Sequence, residues 1–117
     1  MTSPRFGSLH DGPLPAGPGA ETFATLAGSG AARVERIASH AVRDGAWYDQ
    51  AWPEFVLLVA GGATLAFADG TTRALRPGEW CLLPAGCRHR VARTDAATLW
   101  LAVHLPPEAG ADTDQAG

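Results

Sequence analysis

Residues 78–93 read GEWCLLPAGCRHRVAR, and this stretch decides the fold. Arg76-Pro77-Gly78 forms a turn, Trp80 to Leu83 a short apolar strand, Pro84-Ala85-Gly86 a second turn, and His89 opens another strand. Pro84 restricts its own φ and Gly86 tolerates φ > 0, so the chain reverses sharply and re-enters a sheet three residues later. Such a turn aims one side chain, and the polar residue placed to be aimed inward is His89.

Outward from this stretch, short strands recur at close spacing. Residues 33–42 alternate, Glu54 to Ala60 (EFVLLVA) is an apolar run ended by Gly61-Gly62, and residues 63–68 lead to Asp69-Gly70, the strongest hairpin signal present. Thr71 to Leu75 returns as a strand, and Thr98 to Leu105 (TLWLAVHL) is the last. Residues 20–26 (AETFATL) predict one short helix, stopped by Gly28 and Gly30. Seven or eight strands with glycine-rich punctuation describe an all-β sandwich or barrel. The expected organisation is a flexible leader over 1–19, a barrel over 20–105 and a flexible tail over 106–117.

At 117 residues the chain makes one domain with a core of its own, and 46% hydrophobic content suits a globular fold. A net charge of −3 gives no electrostatic case for nucleic acid. No apolar run approaches the length of a membrane span, and no signal sequence opens the chain, so membrane partners are not expected. Cys81 and Cys87 match no zinc or redox spacing and read as packing thiols in a reducing, cytoplasmic setting.

These residues resemble the cupin superfamily. The second cupin motif, G-x5-P-x-G-x2-H-x3-N, is met by Gly78, Pro84, Gly86 and His89, with Arg93 where asparagine is usual. Glu54 and Gly61 meet the E-x6-G that ends the first motif. The resemblance implies a double-stranded antiparallel β-helix, the jelly-roll barrel, with the predicted helix ahead of it. It narrows to small single-domain cupins with a WYDQ segment, a PAG-x-RHRV turn and a WLAVH last strand. The chain departs from the family pattern where His-x-His should precede the glutamate: Trp47, Tyr48, Asp49 and Gln50 stand there instead. The usual three-histidine, one-glutamate site is therefore absent.

Strand parity offers replacements. Trp100, Ala102 and His104 share one face of the last strand, and His40 shares a face with Ala38 and Arg36. The expected metal set is accordingly Glu54, His89 and His104, completed by His40 or Gln50, around a divalent Zn, Fe, Ni or Mn ion. His104, set among apolar residues, reads equally as a satisfied core histidine. Trp47, Tyr48, Asp49 and Trp100 are the residues expected to line the mouth, and Arg93, sharing His89's parity, to meet an anionic group there. Expected functions are a metal-dependent oxygenase, isomerase or lyase acting on a small polar metabolite, a non-catalytic ligand-binding module, or a metal-free structural dimer. A homodimer is expected because an open β-sandwich leaves edges to cover, with residues 33–39 as the contact.

Overall fold

A computed structural model describes residues 2–107. Eight strands follow one another: β1 (Glu21–Ser29), β2 (Ala32–Ser39), β3 (Glu54–Ala60), β4 (Ala63–Phe67), β5 (Thr72–Leu75), β6 (Trp80–Leu83), β7 (His89–Thr94) and β8 (Thr98–His104). They form a five-stranded sheet in the order β1-β2-β8-β3-β6 and a three-stranded sheet in the order β5-β4-β7. Every pairing is antiparallel. The core joins both sheets, with Val56, Leu58, Trp100 and Ala102 from one meeting Leu65 and Leu75 from the other.

The helix expected over residues 20–26 is not there. That segment is β1, paired with β2 from Glu21–Ser39 to Ser29–Ala32. Thr22, Phe23 and Thr25 suit a pleated surface, and a ladder of cross-strand hydrogen bonds outweighs the weak helical preference of a seven-residue stretch. Gly30, read as a helix stop, instead takes φ +58° in the turn between the two strands. The β4–β5 hairpin forms as expected, with the Asp69 carboxylate accepting from the backbone and hydroxyl of Thr71 at 2.9 and 2.7 Å.

Two glycines of the cupin motifs carry local geometry. Gly61 has φ +84°, and a side chain there would sit 2.5 Å from the Ala97 carbonyl oxygen. Gly86 has φ +77° and donates its amide to Gln50 O at 2.7 Å, tying the loop that precedes β3 to the PAG turn. The same loop is clamped again where Tyr48 and His89 exchange backbone hydrogen bonds of 2.7 and 3.0 Å.

Strand β2 is hydrogen-bonded on both sides, to β1 and β8, so residues 33–39 offer no edge for a second copy. Its outer face is covered from the leader. Arg36, 2% exposed, donates to the carbonyls of Leu9 at 2.6 Å and Pro13 at 2.9 Å. Phe6, an apolar residue of the leader, projects away at 93% exposure. The buried guanidinium is one of several hydrogen-bonding ties on the leader, beside Arg5 donating to Leu26 O at 2.9 Å and Thr22 donating to Pro13 O at 2.8 Å. The C-terminal tail beyond residue 107 lies outside the described residues.

Removing that guanidinium tests the attachment. Arg36→Ala should lower unfolding stability by about 2 kcal/mol, the scale of hydrogen bonds from a charged donor. It should also open residues 2–19 to limited proteolysis while cleavage elsewhere stays unchanged.

Candidate functional site

A cavity of about 220 Å³ lies between the sheets. That is below the roughly 300–1,000 Å³ of pockets for drug-sized ligands, so it suits a small metabolite. Val56, Leu65 and Val91 make its apolar walls, and its polar groups come from β1, β2, β3, β7, β8 and the loop before β3.

His89 sits at the start of β7, opposite Phe67 of β4, and is 6% exposed. Its Nδ1 lies 2.8 Å from the Cys87 carbonyl oxygen, which can only accept, so Nδ1 carries the hydrogen. The Nε2 lone pair takes no hydrogen bond from any described residue and is left to the cavity. The Tyr48 ring stacks on the imidazole at 5.9 Å, forming one wall. Burial first, and then the carboxylates of Glu21, Glu54 and Glu35, hold the Tyr48 phenol above its ordinary pKa.

His104 is arranged differently. Strand β8 pairs it with Glu54 on one side and Arg33 on the other. Trp52 Nε1, a donor only, lies 2.9 Å from His104 Nδ1, so Nδ1 must be the acceptor. The hydrogen therefore sits on Nε2, which donates to Glu35 Oε1 at 3.0 Å, with Glu54 Oε2 3.9 Å away. Gln50 in turn donates its amide to Glu54 Oε1 at 3.0 Å. Glu21 is positioned by a similar chain, in which Trp100 Nε1 donates to Ser39 Oγ at 3.1 Å and Ser39 donates to Glu21 at 2.6 Å.

Of the residues expected at the site, Glu54, His89, His104, Gln50, Tyr48 and Trp100 all line this one cavity. Four others do not. His40 lines a separate hollow under the leader, with Arg36 and Ala38, because the odd-numbered Arg33, Glu35 and Ile37 are the β2 residues that face the cavity. Arg93 loses His89's parity at a bulge, where pairing with β4 steps from Thr64–Arg93 to Leu65–Val91 and Ala92 is the extra residue. Its guanidinium pairs with Asp95 outside the cavity. Trp47 lies under the guanidinium groups of Arg88 and Arg90, 4.4 and 4.8 Å from the ring centre, as cation–aromatic packing on the outer side of β7. Asp49 is exposed and stays outside the lining.

Glu35, Glu21, Arg33 and Trp52 were missed from sequence. The alternation of residues 33–42 placed Glu35 opposite in parity to His40, but parity alone does not say which face is inside. Trp52 carries no motif signal in the sequence, and only its indole N–H, brought against His104, gives it a role. Cys81 is not a nucleophile candidate, since burial and then the neighbouring Cys87 push its thiol up.

These donors fit a transition metal poorly. Among the described residues no three His, Cys, Asp or Glu side chains converge in a metal-ligating group. The physical reason is that both nitrogens of His104 are committed, one to Trp52 and one to Glu35. His89 alone shows the tautomer of a ligating imidazole, with its far nitrogen free and its near one held by a carbonyl.

Similar structures agree with this architecture. A candidate mannose-6-phosphate isomerase from Ralstonia eutropha is 42% identical, with a TM-score of 0.75, over 86% of this chain and 97% of that one. A cupin superfamily protein from Desulfitobacterium hafniense is 18% identical, with a TM-score of 0.65, over 77% of this chain and 81% of that one. The DMSP lyase DddQ from Ruegeria pomeroyi is 20% identical, with a TM-score of 0.59, over 72% of this chain and 46% of that one. No family model and no curated protein sequence matches the chain.

The two histidines should show opposite tautomers by ¹⁵N–¹H correlation of their side chains: hydrogen on Nδ1 for His89 and on Nε2 for His104. Trp52→Phe should abolish the Nε2-only pattern of His104 and leave His89 unchanged. Matching tautomers in the wild-type chain would contradict the geometry.

Proposed function

The chain belongs to the cupin superfamily, and from that premise we propose that its cavity binds a small polar metabolite and exchanges a proton with it at His89, without a resident transition metal. The observation that carries this is the His89 ring, buried, locked through Nδ1 to the Cys87 carbonyl, and offering Nε2 as an acceptor. A positioned neutral imidazole can take a proton from a bound hydroxyl or amine, or from carbon next to a carbonyl, and return it elsewhere. Glu54, oriented by Gln50, is the second group able to hold a proton beside the ligand. Isomerase and lyase chemistry needs no more than this, whereas an oxygenase needs a metal that the donor set supports poorly. Similarity to a candidate isomerase supports the same class.

The reading keeps the metabolite expected from sequence and sets aside Zn, Fe, Ni and Mn as cofactors. Both cysteines are free, which supports a reducing, cytoplasmic setting. Among the described residues no helix is long and apolar enough to cross a membrane.

A homodimer is retained, with a different contact. Strand β6 is one of the two edges of the large sheet, opposite β1, and it carries Trp80 at 61% and Leu82 at 52% exposure. Phe55 of β3 stacks on Trp80 at 5.4 Å, extending the apolar surface inward from the edge. An apolar open edge of this kind is stabilised by a second copy. Trp80→Arg should shift sedimentation equilibrium toward the monomer without changing the unfolding midpoint of the monomer.

Elemental analysis of untagged protein purified without added metal, combined with native mass spectrometry, tests the site. Metal well below one equivalent per chain is expected, together with a small copurifying molecule that His89→Ala releases while stability changes little. One equivalent of zinc, iron, nickel or manganese, lost in His89→Ala, would overturn the metal-free reading.

A further inference from the structure

We infer that the molecule taken into the cavity is a small organic ammonium compound. The inference rests on reading the cavity as a metabolite site and adds the charge and donor character of its ligand. The lining brings the carboxylates of Glu21, Glu35 and Glu54 to a space that receives one guanidinium, from Arg33. The His104 imidazole does not offset that excess of carboxylates. His104 accepts from Trp52 on one nitrogen, so it is a neutral ring that donates its single hydrogen to Glu35. His89 donates its Nδ1 hydrogen to Cys87 O and turns Nε2, which no donor among the described residues reaches, to the cavity.

His89 is the second feature of the cavity that bears on the ligand. It is 6% exposed, it lines the cavity, and its Nε2 has no donor among the described residues. The one buried side-chain nitrogen without a partner among the described residues is Arg90 Nε, so His89 Nε2 is reachable from the cavity and stands there as an acceptor that no protein donor uses. The nearby protein groups cannot supply a donor. The Gln50 amide is already turned to Glu54, and the His104 hydrogen to Glu35. A ligand rich in N–H donors and poor in acceptors satisfies the site, and an ammonium group is donor-only with a positive charge.

The remaining walls distinguish an organic cation from other charged ligands. The Tyr48 and Phe23 rings stand at the mouth and Trp100 deeper in, aromatic faces that attract ammonium. Val56 and Leu65 offer contact to its hydrocarbon part. A bare metal ion would need several donors within ~2.0–2.2 Å of one point, which the side chains do not provide. A phosphate ester would place two negative charges against three carboxylates, a repulsion strengthened by the low-dielectric walls. The raised Tyr48 phenol reflects the same field, since after burial its causes are those three carboxylates.

Calorimetric titration of the full chain with putrescine, ethanolamine, mannose and mannose 6-phosphate at one ionic strength tests the inference. At least one amine should bind, with mannose and mannose 6-phosphate weaker. Glu35→Gln and Glu21→Gln should each weaken amine binding by about tenfold, the loss of one charge-assisted hydrogen bond. Glutamine at position 35 still accepts from His104, so the fold should be retained. The chain has a single tyrosine, so its phenolate absorbance reports the field directly. Its alkaline midpoint should fall in both variants. Tighter binding of mannose or mannose 6-phosphate than of either amine would overturn the ammonium inference and leave the metabolite site standing. Failure of both amines at millimolar concentration, or a phenolate midpoint unmoved by both substitutions, would also overturn it.

Discussion

Strand β8 is hydrogen-bonded on both sides, to β2 and to β3, and the polar groups of the cavity take their places from that double pairing. Because β8 cannot slip against one neighbour without breaking its ladder with the other, Trp100, Ala102 and His104 are held facing inward. His104 then stands between Arg33 and Glu54, while Ala102 stands opposite Glu35 and Val56. The small Ala102 leaves the diagonal space through which the Glu35 carboxylate reaches the imidazole of His104 at 3.0 Å. A one-residue change of register would put His104 on the outer face and close the cavity with Val103.

The loop before β3 is the second constraint, and it acts through backbone groups. Its tethers are Tyr48 to His89 and Gly86 to Gln50, and the chain between them delivers the Tyr48 ring, the Gln50 amide and, just beyond, the Trp52 indole. Each of these side chains then touches a different polar group: His89, Glu54 and His104. In this chain the segment that would carry two metal-binding histidines in other cupins instead carries hydrogen-bonding and stacking groups. The consequence is chemical. One imidazole keeps a free nitrogen for a ligand, and the other is used up within the protein.

Collecting carboxylates beside apolar walls costs stability unless they are hydrogen-bonded or paired. The structure offsets part of that cost by assigning each one a donor: Ser39 for Glu21, His104 for Glu35 and Gln50 for Glu54. All three donors are neutral, so they orient the carboxylates and leave the charge available to whatever enters. Arg36, the buried guanidinium of β2, lies on the opposite face and is committed to leader carbonyls, so it does not reduce this charge.

Much of the architecture was legible in the sequence because it is local. Alternation with period two, the Asp69-Gly70 turn and the Pro84–Gly86 turn each act within a few residues, and they placed seven of the eight strands close to where they stand. The spacing of Gly78, Pro84, Gly86 and His89 identified the family and one inward histidine. The first strand was not legible, since seven residues of mixed propensity become a strand only when a partner supplies the ladder. Parity within a strand was legible too, but not its sign or its interruptions. Which face of β2 is inside depends on β8, and the bulge that turns Arg93 outward depends on β4. For the same reason the chemistry of the cavity belongs to the tertiary structure. A histidine's tautomer and a carboxylate's neighbours are set by groups distant in sequence, 52 residues away from Trp52 to His104 and 69 from Glu35 to His104, and no local pattern encodes such contacts.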